Sequence, residues 1–516
     1  MRVNRRYGAE PGSAQLARFA ACLTAHGCHA SASQVSRWES GLFTVPFRAI
    51  NGYERALGLA EKTLTGIADA LYRQSTDHLA PSRLDRRIDP DDHVAQSRAE
   101  DLLDLAFGNA VMSGSDWDDL STLLCASKNV LMANRHWSDL TARLLSEQLV
   151  ADGAAWRLRS EATHRLLWHP RARPHVIAAC AAVIRDVRCP IVVEPFAILD
   201  LAAEPDVAAL LISQLADPVD ERAIRGALLA SVSKVRTRQF TRDQLRRVAD
   251  SVVEMLTDPR LHAFARSLAG ELVGRLPPPL RDQSVRRLHR AFTLDRGLAG
   301  LVAEHRTADV ERSRRVVDRI AGRVLSSMPS YTDATSDEML DRLIDEMLFS
   351  TNSDVRLHAA QLTGATPFSA HLADALCAEL GPSTVIRGAV TAPAILEALP
   401  FVGTQQHRTV VETVVLAPGL EAATTSAAAW SISHLPGQSA ATFWSAALDR
   451  HRRNWSQTRS APAREALSGL TYALGIAGDS TALTAICSSP EMPPDSRAAA
   501  HWWTGLPSVI TSSARI

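Results

Sequence analysis

From about residue 98 onward, apolar residues recur at intervals of three and four along almost the whole chain, while strict apolar–polar alternation is scarce. That period puts the apolar side chains on one face of a helix, so the pattern predicts one amphipathic helix after another and no sheet. In Asp337 to Phe349, Met339, Leu340, Leu343, Ile344, Met347 and Leu348 form one broad stripe, with Thr335 or Ser336 as the expected N-cap. The element stops at Ser350 to Ser353, and a second helix starts near Asp354. It turns Val355, Ala359 and Leu362 inward and ends at Gly364 and Pro367.

The two-helix unit repeats. Leu215-Ala216-Asp217-Pro218 and Leu256-Thr257-Asp258-Pro259 lie 41 residues apart. Each precedes a helix with small or apolar inner residues, Ala223, Ile224, Ala227 and Leu228 in one, Phe264, Ala265, Leu268 and Ala269 in the other. These segments resemble HEAT or armadillo repeats, whose period is about 40–47 residues. The resemblance is clear in three units and continues as helix pairing over 98–516, which implies an α-solenoid-like array. An irregular all-α domain is the alternative. Pro277-Pro278-Pro279 and the polar stretch Ser326 to Ser336 are candidate joints.

Residues 75–97 differ from both flanks, with Pro81 followed by the mixed charges of Arg83 to Asp92 around Pro90, and read as a linker. It leaves an N-terminal module, 1–74. There, Ser31-Ala32-Ser33-Gln34-Val35-Ser36-Arg37-Trp38-Glu39-Ser40-Gly41 reads as a short helix with a hydroxyl cap, a buried aliphatic (Val35), a buried aromatic (Trp38) and a glycine stop. Pro46 and a helix through Ile50, Tyr53, Leu57 and Leu59 follow. A short helix of this kind fits the major groove of DNA.

The stretch resembles the recognition helix and downstream helices of lambda-repressor-like helix-turn-helix regulators, the xenobiotic-response-element family. The resemblance covers about residues 31–65. It implies that Ala32, Ser33, Ser36 and Arg37 face the groove and that Ser40 touches phosphate. Arg37 is the strongest base reader, because a guanidinium can pair bidentately with guanine. Glu39 is expected to orient the helix end through a local ion pair. The family normally has two helices ahead of the recognition helix, whereas only Ser13 to His26 is clear here, with Leu16, Phe19, Ala20 and Leu23 inward. The first helix is then shortened into 1–11, paired with a partner chain, or missing through a late start.

Charge sharpens the picture locally. The chain has 56 basic and 56 acidic residues, yet 1–73 carries nine basic and five acidic side chains, an excess of +4. Arg2, Arg5 and Arg6 could form an arm that reaches phosphate or the minor groove. Farther on, Arg281, Arg286, Arg287 and Arg290 form a basic helix face, expected to be solvated.

Overall, 46% apolar and 22% charged residues describe a folded chain. Seven scattered cysteines without a Cys-x-x-Cys pair argue against a disulfide framework or zinc module. There is no phosphate loop, nucleophile elbow, His-Glu-x-x-His or dinucleotide fingerprint. His164 and His169, five residues apart, do not share a helix face and are expected to pack. Trp502-Trp503 are expected to cap the last repeat.

The sequence therefore predicts an all-α chain, with a helix-turn-helix domain (1–74), a linker (75–97) and a HEAT-like helical-repeat domain (98–516). The expected function is transcription regulation without catalysis, metal or cofactor. Double-stranded DNA is the expected partner, bound by a homodimer assembled through the apolar stripes of 98–516, which include Leu467, Leu470, Leu474, Trp502 and Trp503. A protein partner or small ligand is expected on the repeat domain, and no membrane. The location is expected to be cytoplasmic, on the nucleoid when DNA-bound. The alternatives are a non-catalytic repeat scaffold for protein–protein interaction and a small-ligand sensor.

Overall fold

A computed structural model describes residues 2–8, 12–75, 92–126, 131–258, 261, 263–291, 310–328, 337–350, 352–381 and 391–515. It is all-helical, with 28 α-helices and no strand among the described residues. The N-terminal module holds α1 (Arg2–Arg6), α2 (Leu16–Ala25), α3 (Ala32–Glu39), α4 (Phe47–Ala56) and α5 (Thr63–Ser75). The array begins with α6 (His93–Phe107), α7 (Gly114–Ala126), α8 (Asn134–Val150), α9 (Gly153–Trp168) and α10 (Arg173–Arg185). It continues through α11 (Val193–Leu199), α12 (Pro205–Ala216), α13 (Glu221–Arg236), α14 (Arg242–Thr257), α15 (Ala263–Arg275) and α16 (Pro278–Ala291). Its second half comprises α17 (Val310–Ser327), α18 (Glu338–Phe349), α19 (Ser353–Gly364), α20 (Ser369–Leu380), α21 (Ala392–Val402) and α22 (Gln405–Leu416). Then come α23 (Ala422–Ser431), α24 (Ala441–Thr458), α25 (Ala461–Ala477), α26 (Ser480–Ser488), α27 (Pro494–Thr504) and α28 (Ser508–Ser513).

Local chemistry sets many of these starts. Asp220 accepts the Ala223 amide at the head of α13, and Thr241 and Gln244 exchange side-chain and backbone bonds across the first turn of α14. The cap of α18 is Asp337, which accepts from both Met339 and Leu340 amides; Thr335 and Ser336 lie outside the described residues. Met339 points to solvent, 52% exposed, so the apolar stripe of α18 is narrower than its sequence suggests. The prolines at 277–279 fall where α15 ends and α16 begins: α16 starts at Pro278, where a missing amide hydrogen costs nothing. Of the linker, 76–91 lies outside the described residues, while 93–97 is already helical because Asp92 caps α6.

Packing follows two rows. In the first half α11, α13 and α15 pack side by side as an inner row, while α8 with α10, and α12 with α14 and α16, form the outer one. In the second half α19, α21, α23, α25 and α27 form the inner row, with α20, α22 and α24 outside. Of the Asp-Pro turns found in the sequence, Asp217-Pro218 sits between outer α12 and inner α13, and Asp258 follows outer α14, while Pro259 lies outside the described residues. Ala223, Ala227 and Leu228, with Ala265, Leu268 and Ala269, are buried as expected; the side chain of Phe264 lies outside the described residues. Inner helices approach closely where side chains vanish. A Cβ on Gly226 would stand 2.2 Å from the ring of Phe196, and one on Gly475 2.1 Å from Trp503.

The array returns on itself. Helix α28 packs on α8, the Met112 amide donates to Ser513 Oγ (3.1 Å), and Arg159 donates to the carbonyls of Met112 (2.8 Å) and Ser513. Farther along this seam Arg464 pairs with Glu221, and His434 Nδ1 lies 2.9 Å from Asp152 Oδ1. Leu467, Leu470 and Leu474 are fully buried here and Trp503 nearly so, which corrects the expectation that they form a free stripe for dimerisation. They are consumed by α23, α27 and the closing contacts. His169, also as expected, packs: its ring lies 4.9 Å from that of Trp137.

One seam carboxylate is pH-sensitive. Glu194 Oε1 accepts from Gln148 Nε2 and Trp156 Nε1, both at 2.6 Å, and burial pushes its carboxyl up to about 7. A raised acid binds its proton more tightly folded than unfolded, so its contribution to stability falls as pH rises from about 4.5 to about 7. Glu194→Gln keeps the acceptor and removes the charge. We expect it to be more stable than the parent at pH 8 by about 3 kcal/mol, and nearly equal at pH 4.5, read from urea midpoints.

Candidate nucleic-acid interface

The module core forms around Phe19, Leu23, Val35, Ile50 and Tyr53, each at most 2% exposed, with the Phe19 and Tyr53 rings edge to face at 5.0 Å. Trp38 is only half-buried, a correction to its expected place in the core. In an eight-residue helix Val35 takes the inward position, and Trp38, three residues on, covers the rim. Leu57 and Leu59 likewise pack at the edge. Helix α3 opens with a full capping box: Ser31 Oγ accepts the Gln34 amide (3.2 Å) and Gln34 Oε1 accepts the Ser31 amide (2.8 Å). Gly41 closes it at φ +73°, which a β-carbon would strain.

The outer face of α3 displays Ser33, Ser36, Arg37 and Ser40, all exposed, with Ala32 half-buried beside them. Arg37 lies 5.4 Å from the ring centroid of Phe43, itself 54% exposed next to Leu42 at 74%. Ser40 Oγ donates to the Arg37 carbonyl. The five residues named from the sequence as groove- or phosphate-facing on α3 thus share one surface.

Arg5 does not join them. Its Nε donates to both oxygens of Glu39 (2.7 and 2.9 Å), it also bonds the Ala14 carbonyl, and it is 7% exposed. The expected phosphate arm is therefore corrected: Arg5 is the partner that orients Glu39, which also accepts from Tyr53 Oη at 3.0 Å. A carboxylate at the end of α3 with a tyrosine hydroxyl beside it draws the guanidinium inward. Arg6 is exposed and lies 5.2 Å from the centroid of the Tyr7 ring. Tyr7 in turn packs on Phe368 of the array at 5.3 Å, so the five-residue α1 is a docking element.

Docking continues along α5, which sits between α9 and α19. Lys62 pairs with Asp118 (3.1 Å) and Asp119 (2.6 Å), Arg73 with Glu161, and Arg165 with Asp69 (3.6 Å) and Asp118. Lys62, Arg73 and Arg5 are thereby neutralised within the protein. Arg18, Arg37, Arg48 and Arg55 stay exposed, against Glu61 as the exposed acid of 12–75, so the positive excess survives where α3 lies.

No protein-family model and no curated sequence matches this chain. Its own chemistry therefore carries the functional reading. Arg48 is a residue the sequence pattern did not single out. It occupies the second position of α4, where the helix dipole disfavours a cation; burial raises the Cys28 thiol in the turn between α2 and α3, and Arg48 with Arg55 only partly offsets that. An arginine at a helix N-terminus was the signal available for it. None of the seven cysteines is in a disulfide, and among the described residues no cluster of His, Cys, Asp and Glu is fit for a metal. No described helix is long and apolar enough to cross a membrane.

Proposed function

We propose that the protein is a sequence-specific DNA-binding transcription regulator, with α3 as the groove-reading helix and the closed helical array as its partner- or signal-binding body. One observation carries the reading. The α3 face bearing Ser33, Ser36, Arg37 and Ser40 is left to solvent beside the exposed Leu42 and Phe43, and Arg18, Arg48 and Arg55 add exposed positive charge on the same module. A module of this size buries only ~600–1,000 Å² on DNA, so a homodimer on two half-sites about 10 bp apart accompanies the proposal. Its interface lies elsewhere than Leu467, Leu470 and Leu474.

Gel shifts on genomic fragments test it. Arg37→Ala should lose ~1–3 kcal/mol on the preferred site and relax one base pair, whereas Arg48→Ala should weaken all duplexes evenly and lower the salt slope by about one. Absence of any preference over random DNA would end the regulator reading.

The buried ion pairs that hold the module on the array favour a second reading, a non-catalytic scaffold whose N-terminal helices merely dock. Under it, duplex binding is absent and Arg37→Ala is silent.

A further inference from the structure

A cavity of about 720 Å³ lies where the inner rows of the two halves face each other, between α11, α13 and α15 on one side and α19, α21, α23 and α25 on the other. Its size is that of a small-molecule site, and its walls are largely apolar, through Leu229, Leu268, Leu357, Phe401, Ala427 and Trp430.

The charges around it are unbalanced. The lining contains eight carboxylates and six guanidinium groups. Four of the arginines are held by neighbouring acids: Arg222 by Asp220, Arg275 by Glu271, Arg356 by Glu397 and Arg464 by Glu221. Two carboxylate oxygens, Asp200 Oδ1 and Asp495 Oδ1, are buried with no hydrogen-bond donor. Such acceptors lose their hydration with nothing in return. Arg222 Nη1 lacks a partner too, but the Arg222 charge is met by Asp220, and the Ser233 hydroxyl, though unbonded at ordinary hydrogen-bond length, faces Asp200 as a neutral donor.

Asp200 ends α11 in the first half and Asp354 opens α19 in the second. Burial first, then the charge of Asp354, pushes the Asp200 carboxyl well above its ordinary range. Lys234, then the neutral Ser233 hydroxyl, then Arg236 oppose that push. Lys234, however, directs Nζ to the carbonyls of Asp200 (3.0 Å) and Ala202 (2.6 Å) and to Gln239 Oε1 (2.7 Å), so its three donors are spent away from the carboxylate. Among the described residues no cationic hydrogen-bond donor is bonded to Asp200 Oδ1, and Asp200 and Asp354 are two acids contributed by opposite halves.

We propose that this cavity binds a drug-sized apolar molecule bearing a positive nitrogen, with the charge seated between Asp200 and Asp354 and the body against the apolar wall. The inference is independent of DNA binding. Binding in the charged form draws a proton off Asp200, so affinity should fall as pH drops below neutrality.

The test uses two dyes with the same ring system, rhodamine 6G (cationic) and fluorescein (anionic), followed by fluorescence anisotropy on the full chain. Rhodamine 6G should bind saturably, at least tenfold tighter than fluorescein, and weaken severalfold from pH 8 to pH 6. Asp200→Asn, with its helical signal and melting temperature checked, should weaken it at least tenfold and remove the pH dependence. A separate Asp354→Asn protein guards against a folding defect in the first and should weaken the dye in the same direction. Lack of saturable rhodamine binding, equal affinity for the two dyes, or unchanged affinity in a folded Asp200→Asn protein overturns the proposal.

Discussion

Arg159→Ala is expected to be the most damaging single substitution in the array, costing about 3–5 kcal/mol. Arg159 and Glu147 are both 0% exposed. Glu147 Oε2 accepts from Trp117 Nε1 (2.7 Å) and Arg159 Nε (3.3 Å), and Oε1 from Arg143 Nε (2.9 Å). Removing the guanidinium strips a buried carboxylate of one cation and leaves the Met112 and Ser513 carbonyls without a donor, at the point where α28 meets α8. Urea unfolding should show an earlier first transition, and amide exchange should accelerate in α28 and α8 ahead of α14. A shift below about 1 kcal/mol would show that Arg143 and Trp117 suffice for Glu147.

Arg165→Ala should release the N-terminal module. Arg165 bridges Asp69 of α5 and Asp118 of α7, which are 0% and 1% exposed, and also donates to the Asp118 carbonyl and Ser121 Oγ. Without it Asp118 keeps Lys62, but Asp69 loses the guanidinium in a buried position, a loss again worth about 3–5 kcal/mol. The expected result is faster amide exchange throughout α5, with the array's own melting little changed. Unaltered protection of α5 would mean that Lys62, Arg73 and the Tyr7–Phe368 contact hold the module without it.

Period and turn chemistry made the helices legible. Asp217-Pro218 and the Ala223, Ala227, Leu228 face act within one or two turns of chain, so the sequence displays them directly. The narrower stripe of α18 was less legible, because Met339 is apolar enough to join it and only the neighbouring helices decide that it points outward. Arg5 shows the same limit in the module. As text it belongs to a basic arm, and its commitment to Glu39 depends on α1 folding back across 34 residues. The closing contacts have no local signature at all. Nothing near Glu221 announces Arg464, and nothing near Met112 announces Ser513. The α3 face was readable residue by residue because a capped eight-residue helix fixes its own outward side.

The return of α28 onto α8 also bears on how such a chain can change. In an open repeat stack each unit touches only its neighbours, so a unit can be gained, lost or trimmed from an end at the expense of one interface. Here the last helix must arrive where the eighth one stands. An added or deleted pair would carry Ser513 away from Met112 and Arg464 away from Glu221, and would leave α5 unable to touch α9 and α19 together. The number of repeats is thereby fixed by closure, and variation should be confined to connections that leave the circuit length untouched.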